Sequence, residues 1–164
     1  MMMADHGSID NAQVDAETKR ALEPFDRDGG ENPFVIQHDL QDMMQQWVGI
    51  VRVEDEMKQA LGGLTKLKER TERSSVTGNV DFNPGWHTAL DLRNLLTVSQ
   101  AITRSAIERK ESRGGQFRDD YPDKDPEFAK FNIAVKEVNG EMQISHVPLP
   151  EMPSELKQVI EEMG

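Results

Sequence analysis

Apolar residues recur at three- and four-residue intervals along three long stretches of this chain. Residues spaced in this way share one face of an α-helix, and that face has to be buried against another element. The first seam is Ile36, Leu40, Met43, Met44, Trp47 and Val51. It opens at Asn32-Pro33, where the Asn side chain suits a helix cap and Pro suits the first helical position, whose N–H has no partner in any case. The pattern slips at residues 50–53. A second seam, Met57, Ala60, Leu64, Leu67 and Thr71, then runs to about Ser74 beside a charged face of Lys66, Lys68, Glu69, Arg70, Glu72 and Arg73. Gly62-Gly63 inside that helix costs about 1 kcal/mol per glycine relative to Ala, and a close helix crossing is the expected reason for it. A second Asn-Pro pair, Asn83-Pro84, opens the third and longest stretch, from about Gly85 to Ser112. Leu92, Leu95, Ser99, Ile102 and Ala106 line one side of it, with Trp86, Leu90 and Leu96 on a second. A helix apolar on two sides belongs at the centre of a bundle.

Shorter elements flank these three. A helix is expected from Asp15 to about Glu23, stopped by Pro24. Past Pro122 the period changes to two: Phe131, Ile133 and Val135 alternate with polar residues, Asn139-Gly140 follows, and Met142 and Ile144 resume the alternation. Asn-Gly between alternating segments signals a tight hairpin, because both turn positions take positive φ. Pro148, Pro150 and Pro153 lead to a short terminal helix at about Ser154 to Met163. The expected fold is therefore mainly α: an antiparallel three-helix bundle, spectrin-like, with a small C-terminal β-hairpin. Residues 1–14 are expected to be a disordered leader, 15–122 the bundle, and 123–164 the hairpin and tail. The 164 residues suit one domain. Aromatics at 5% and hydrophobic residues at 36% are sparse, so periodicity rather than hydrophobic content separates this chain from a disordered one.

Several function classes fall away. A net charge of −11 opposes phosphate backbones and anionic membrane surfaces. No apolar run is long enough to span a bilayer, so neither nucleic acid nor direct membrane insertion is expected. The absence of cysteine removes disulfides, thiolate chemistry and Cys-ligated metals. Met1-Met2-Met3-Ala4-Asp5-His6-Gly7-Ser8 has no basic region followed by an apolar core, so it does not read as a secretory signal, and a cytoplasmic location is expected. Asp26-Arg27-Asp28-Gly29-Gly30-Glu31 resembles a calcium loop only in composition. The sixth and twelfth positions, which need Gly and Glu, hold Glu31 and Gln37. His6, His38, His87 and His146 lie on separate elements and form no metal-ligand spacing. No nucleophile–base motif is present. None of the three glycine pairs (Gly29-Gly30, Gly62-Gly63 and Gly114-Gly115) has the strand–turn–helix setting that would seat a pyrophosphate. Catalytic, cofactor-binding and metal-ligating residues are therefore assigned to no position.

One cluster stands apart from this background. Glu108, Arg109, Glu111, Arg113, Arg118, Asp119 and Asp120 crowd around a glycine turn at the end of the longest helix. Converging arginines suit an anion such as a dicarboxylate. The acids nearly match the bases in number, however, so an internal ion-pair network pinning the helix end to the next loop is the favoured reading. A small stand-alone enzyme built on Arg113 and Arg118 ranks below it.

Glu111, Ser112, Arg113, Gly114, Arg118, Asp120, Tyr121 and Pro122 match the signature E-S-R-G-x-x-x-R-x-D-[YF]-P. Around them the chain resembles the C-terminal helical domain of succinate dehydrogenase and fumarate reductase flavoprotein subunits, a domain whose signature L-aspartate oxidases share in part. The resemblance extends to Ile36–Arg52 with its Gly-Ile-Val-Arg ending, to Asn83-Pro84-Gly85-Trp86 with Asp91-Leu92-Arg93-Asn94-Leu95-Leu96, and to the hairpin at 131–147, covering about residues 20–147. It implies a parent flavoenzyme that interconverts succinate and fumarate through FAD in electron transport and the tricarboxylic acid cycle. FAD and substrate there are held by domains preceding this one, so no catalytic residue carries over, and this chain alone is expected to hold no cofactor and to be inactive. The eight signature residues carry over as structural. The implied partners are the FAD-binding domain of the parent and the iron–sulfur subunit, with self-association when isolated and a place at the cytoplasmic face of the inner membrane within a complex. Two positions depart from the family pattern: Gln116 stands where many members carry histidine, and Phe131 stands near a histidine often found at the hairpin start. The reading from another class is a free-standing acidic helical interaction module.

Overall fold

The computed structural model describes residues 9–163. The protein is mainly helical, with three long helices and a C-terminal β-hairpin. In order along the chain are α1 (Asn11–Leu22), a 3-10 turn (Glu23–Phe25), α2 (Pro33–Trp47), β1 (Val51–Arg52), α3 (Glu54–Glu72), α4 (Pro84–Glu108), β2 (Phe117–Arg118), a second 3-10 turn (Glu127–Ala129), β3 (Phe131–Val138), β4 (Glu141–Pro148) and α5 (Ser154–Met163).

Both Asn-Pro pairs cap as expected. Asn32 Oδ1 accepts the Phe34 N–H at 3.0 Å, and Asn83 Oδ1 accepts the Trp86 N–H at 3.0 Å. The Asn83 amide also donates to the Thr77 and Asn79 carbonyls, folding the preceding turn onto the cap. α1 starts four residues before the expected Asp15, because Asp10 takes the cap and accepts the N–H of Ala12 at 2.9 Å. The leader expected over 1–14 lies outside the described residues through residue 8.

The chain divides into two compact units. One comprises, of the described residues, 9–46 and 62–99. Its buried apolar residues are Ile36 and Leu40 on α2, Leu64 and Leu67 on α3, Val76 in the connection, and Ala89, Leu92 and Leu96 on α4. Trp86 Nε1 donates to the Ala21 carbonyl at 2.6 Å, and its ring meets Phe25 at 5.8 Å. Arg70 ties α3 to Glu31 and Asp39, and Arg27 donates to the Ser74 carbonyl. Glu31 of the rejected calcium loop is therefore an ion-pair partner. A Cβ on Gly63 would fall 2.3 Å from the Met43 sulfur, so that glycine does mark a close approach to α2, made by a side chain rather than by backbone. Gly62 has nothing within 4 Å and no such reason.

The other unit comprises, of the described residues, 47–61 and 100–163. It contains Val48, the buried Met57 and Ala60 of α3, the C-terminal turns of α4 with buried Thr103 and Ala106, and everything that follows. β1 and β2 pair in parallel, Val51 with Phe117 and Arg52 with Arg118. β3 and β4 form the expected antiparallel hairpin, Phe131 opposite Pro148 through Val138 opposite Glu141. Its turn residues, Asn139 at φ 54° and Gly140 at φ 80°, are the pair of left-handed positions that Asn-Gly supplies.

All five residues of the α3 seam are buried. On α4 the buried line is Ala89, Leu92, Leu96, Ser99, Thr103 and Ala106, whereas Leu95 is 37% and Ile102 45% exposed. The expected seam thus had the right spacing but was one residue out of phase at two of its five positions. Ser99 lies inward as expected, and Thr103 holds the inward place that Ile102 was expected to fill. α4 ends at Glu108 rather than Ser112. α5 lies where expected and buries none of its residues.

Candidate functional site

The signature residues surround the end of α4. Arg118, on β2, is fully buried and is the largest fully buried side chain among the described residues. A helix leaves its last carbonyls without partners, and Arg118 Nη1 supplies donors to three of them or their neighbours: Ala106 at 2.9 Å, Ile107 at 3.2 Å and Arg109 at 3.2 Å. The other side of the guanidinium makes a two-point contact with Asp120, Nε to Oδ1 and Nη2 to Oδ2, both at 2.7 Å. Glu54 lies at 3.5 Å, and the Tyr121 ring stacks beneath at 4.9 Å. The hydrogen bonds with Asp120 raise the Arg118 pKa and hold the Asp120 carboxyl below its usual range. Asp120 also accepts the N–H of Glu54 at 3.0 Å, which fixes the start of α3.

Glu111 is the second buried charge, fully covered and shared by Arg109 and Arg113. It also accepts the Asp125 N–H at 2.9 Å. The Arg113 hydrogen bond is the main cause of a carboxyl pKa lowered to about 2, with the Asp125 N–H and Arg109 adding to it against the effect of burial. Ser112 Oγ accepts the Arg118 N–H at 2.8 Å and donates to the Tyr121 carbonyl at 2.9 Å. Gly114, at φ 60°, makes the turn in which Arg113 and Gln116 exchange backbone hydrogen bonds of 2.9 and 3.2 Å. Pro122 follows Tyr121 at the edge of this network, exposed. Asp119 joins through its backbone, donating to the Arg52 carbonyl at 3.0 Å.

Gln116, the departure from the family pattern, is fully engaged. Its amide donates to the Arg109 carbonyl at 2.9 Å and the Ala106 carbonyl at 3.4 Å, and its oxygen accepts Arg52 Nη1 at 3.1 Å. Near Phe131, the other departure, a histidine does stand: His146 of β4 stacks on that ring at 3.9 Å and contacts Glu108 at 2.8 Å. The remaining described histidines lie apart; His38 pairs with Asp42 on the surface of α2, and His87 is exposed beside Trp86. Among the described residues no group of three or more His, Cys, Asp or Glu could hold a metal ion, and no helix is long and apolar enough to cross a membrane.

Sequence reasoning missed three participants. Arg52 caps the turn after α2, with Nε donating to the Val48 and Gly49 carbonyls. Arg104 Nη1 donates to the Met142 carbonyl at 3.0 Å, so the end of α4 meets the hairpin. The third is the β1–β2 pair. The slip in apolar spacing at 50–53 was the available signal for β1; a two-residue strand gives no period of its own. A cavity of about 600 Å³ opens beside Arg52, lined also by Ala101, Ile102, Ser105, Ala106, Arg109, Gln116, Asn132 and Ile133.

A model of the family described as fumarate reductase flavoprotein C-term matches residues 37–160, which include the corner and both strands of the hairpin. The chain belongs to this family. Among its relatives, the fumarate reductase flavoprotein subunit of Haemophilus influenzae is 32% identical over 148 residues, which are 87% of this chain and 25% of that protein. The succinate dehydrogenase flavoprotein subunit of Coxiella burnetii is 36% identical over 143 residues, 82% of this chain and 24% of that protein. Among solved structures, Mycobacterium smegmatis Sdh1 in complex with UQ1 superposes with a TM-score of 0.90 at 34% identity, covering 97% of this chain and 28% of that one. The chain thus spans about a quarter of the length of the family members it matches. An adenosine-5-phosphosulfate reductase shares the fold at a TM-score of 0.78 and 23% identity.

Proposed function

We propose that this chain serves as the C-terminal helical domain of a succinate dehydrogenase or fumarate reductase flavoprotein, a structural and subunit-interface part of an enzyme whose FAD and catalytic groups lie in other segments. The observation that carries this reading is the state of the signature charges. Arg118 and Glu111 are buried, and their hydrogen bonds go to Asp120, Arg109, Arg113 and backbone groups of their own unit. A substrate-binding guanidinium needs a face turned to a ligand, whereas these residues hold a helix end in place. The role assigned to Ser112, Gly114, Tyr121 and Pro122 is the same: they fix the turn that delivers Arg118.

The reading makes FAD a cofactor of the parent and places the partners as an FAD-binding domain and an iron–sulfur subunit, at the cytoplasmic face of a membrane complex. Exposed apolar residues support an interface: Val51 and Phe117, on the paired strands of one unit, are 56% and 41% exposed. The test is complementation. A relative's flavoprotein truncated before this domain is mixed with the chain, and succinate-dependent dye reduction and co-elution are followed. Restored activity with a stable complex, from a chain that retains no flavin after desalting, is the expected outcome. A chain that stays monodisperse and restores nothing favours the free-standing interaction module. A chain that retains FAD by itself overturns the proposal.

A further inference from the structure

In a chain of net charge −11, the cavity beside Arg52 is lined, among the described residues, by two arginines and by no aspartate, glutamate or lysine. The surrounding ion pairs show why this matters. Arg118 is matched by Asp120 and Glu54, and Arg109 and Arg113 share the single carboxylate of Glu111. Among the described residues no carboxylate lies within ion-pair reach of Arg52. The positive charge is therefore in surplus at the cavity wall. Burial, and next the nearby Arg118 charge, lower the Arg52 pKa, as befits a cation short of a counter-ion.

The geometry of Arg52 is fixed by bonds that leave part of it free. A guanidinium carries five N–H donors. Nε–H is held by the Val48 and Gly49 carbonyls, and Nη1 donates to Gln116, whose own amide is anchored on the Arg109 and Ala106 carbonyls. Among the described residues Nη2 has no hydrogen-bond partner, and it is not a buried unsatisfied atom, so it is open to solvent. Ser105 and Asn132 add polar groups to the lining, and Ala101, Ile102, Ala106 and Ile133 add apolar wall. We infer that this cavity is a carboxylate-binding pocket, in which Arg52 pairs with the carboxylate of a ligand and the Ile102 and Ile133 walls cover a short aliphatic arm. This goes beyond the domain assignment and does not depend on it. The carboxylate can come from a free small acid or from an acidic side chain of another polypeptide; both present the same group to Arg52.

The test is a titration of the full chain followed by the side-chain amide NMR signals of Gln116 and Asn132. The probes are butyrate and N-acetylglutamate methylamide, with phosphate and chloride at matched ionic strength. Saturable shifts with a Kd of the order of 1 mM are expected for a carboxylate probe and not for the inorganic anions. Response to butyrate alone assigns the site to free acids, to the blocked glutamate alone to a protein side chain, and to both to either source. Asn132→Asp sets a negative charge on the exposed rim and leaves the Arg52 bonds intact; it should weaken binding about tenfold or more. Arg52→Gln should do the same in a chain that keeps its folded spectrum. Shifts that never saturate, that phosphate or chloride reproduce, or that survive Asn132→Asp overturn the inference.

Discussion

Replacing Arg118 with Met keeps most of the side-chain volume but removes a cation that no solvent reaches, leaving its acceptors behind. Of the three carbonyls it serves, those of Ala106 and Arg109 still accept from Gln116, so Ile107 alone is left bare, at about 1–3 kcal/mol. Asp120 keeps the Glu54 N–H and is 26% exposed, so its loss is confined to the two-point pair, about 1.5–3 kcal/mol. Together these give about 2.5–6 kcal/mol, which brackets the roughly 3–5 kcal/mol found when a buried pair is broken. Gln116→Ala alone should cost about 1.5–3 kcal/mol, because Arg118 still covers the same two carbonyls and only the bond from Arg52 Nη1 is lost outright. In the double variant both carbonyls lose their last donor, so the cost should exceed the sum of the single ones by about 1–2 kcal/mol. Urea unfolding followed by far-UV circular dichroism measures all three, with Lys130→Met, in an exposed pair with Glu127, as a control expected within about 0.5 kcal/mol. An Arg118→Met cost below about 1 kcal/mol, or additivity within about 0.5 kcal/mol, would refute the shared-carbonyl account.

Acid should act through Glu111. Its carboxyl is held at about 2 against an ordinary 4.5, so its contribution is complete above about pH 4.5 and is lost as pH falls through about 2. Urea midpoints taken down that range should fall more steeply for the wild type than for Glu111→Gln, and parallel curves would disprove the linkage. On α3, Gly62→Ala meets nothing and should raise stability by about 0.5–1 kcal/mol, while Gly63→Ala must displace the Met43 sulfur and should gain less or lose. Thermal melts of the two variants decide it, and a Gly63→Ala gain equal to that of Gly62→Ala would show that Met43 moves at no cost.

The elements that could be read in the sequence are those whose signal is local. Asn32-Pro33, Asn83-Pro84 and Asn139-Gly140 each specify a backbone geometry within a few residues, and each occurs where expected. The phase of α4 was less legible, because Leu95 and Ile102 offer as good a stripe as Leu96 and Thr103, and only the neighbouring helices choose between them. In the corner, the residues were legible and the bookkeeping was not. The near balance of acids and bases pointed to internal pairing, but which carboxylate serves which arginine depends on β2 lying beside β1. That contact has no periodic signature, so nothing in the sequence links Arg52 to the corner.

The parallel pairing of β1 with β2 also has a consequence for timing. Arg52 and Gln116 are 64 residues apart along the chain. During synthesis at about 5–20 residues per second, Arg52 leaves the ribosome roughly 3–13 s before its partner exists. For that interval the turn after α2 carries a guanidinium whose partners are the local Val48 and Gly49 carbonyls, with no Gln116 to meet its Nη1. The corner therefore cannot form before residues 117–120 have emerged, and that one segment brings the carbonyl donors, the Asp120 pair and the β1 contact together. For the nascent chain, the signature sets the earliest moment at which β1 and the end of α4 can be joined.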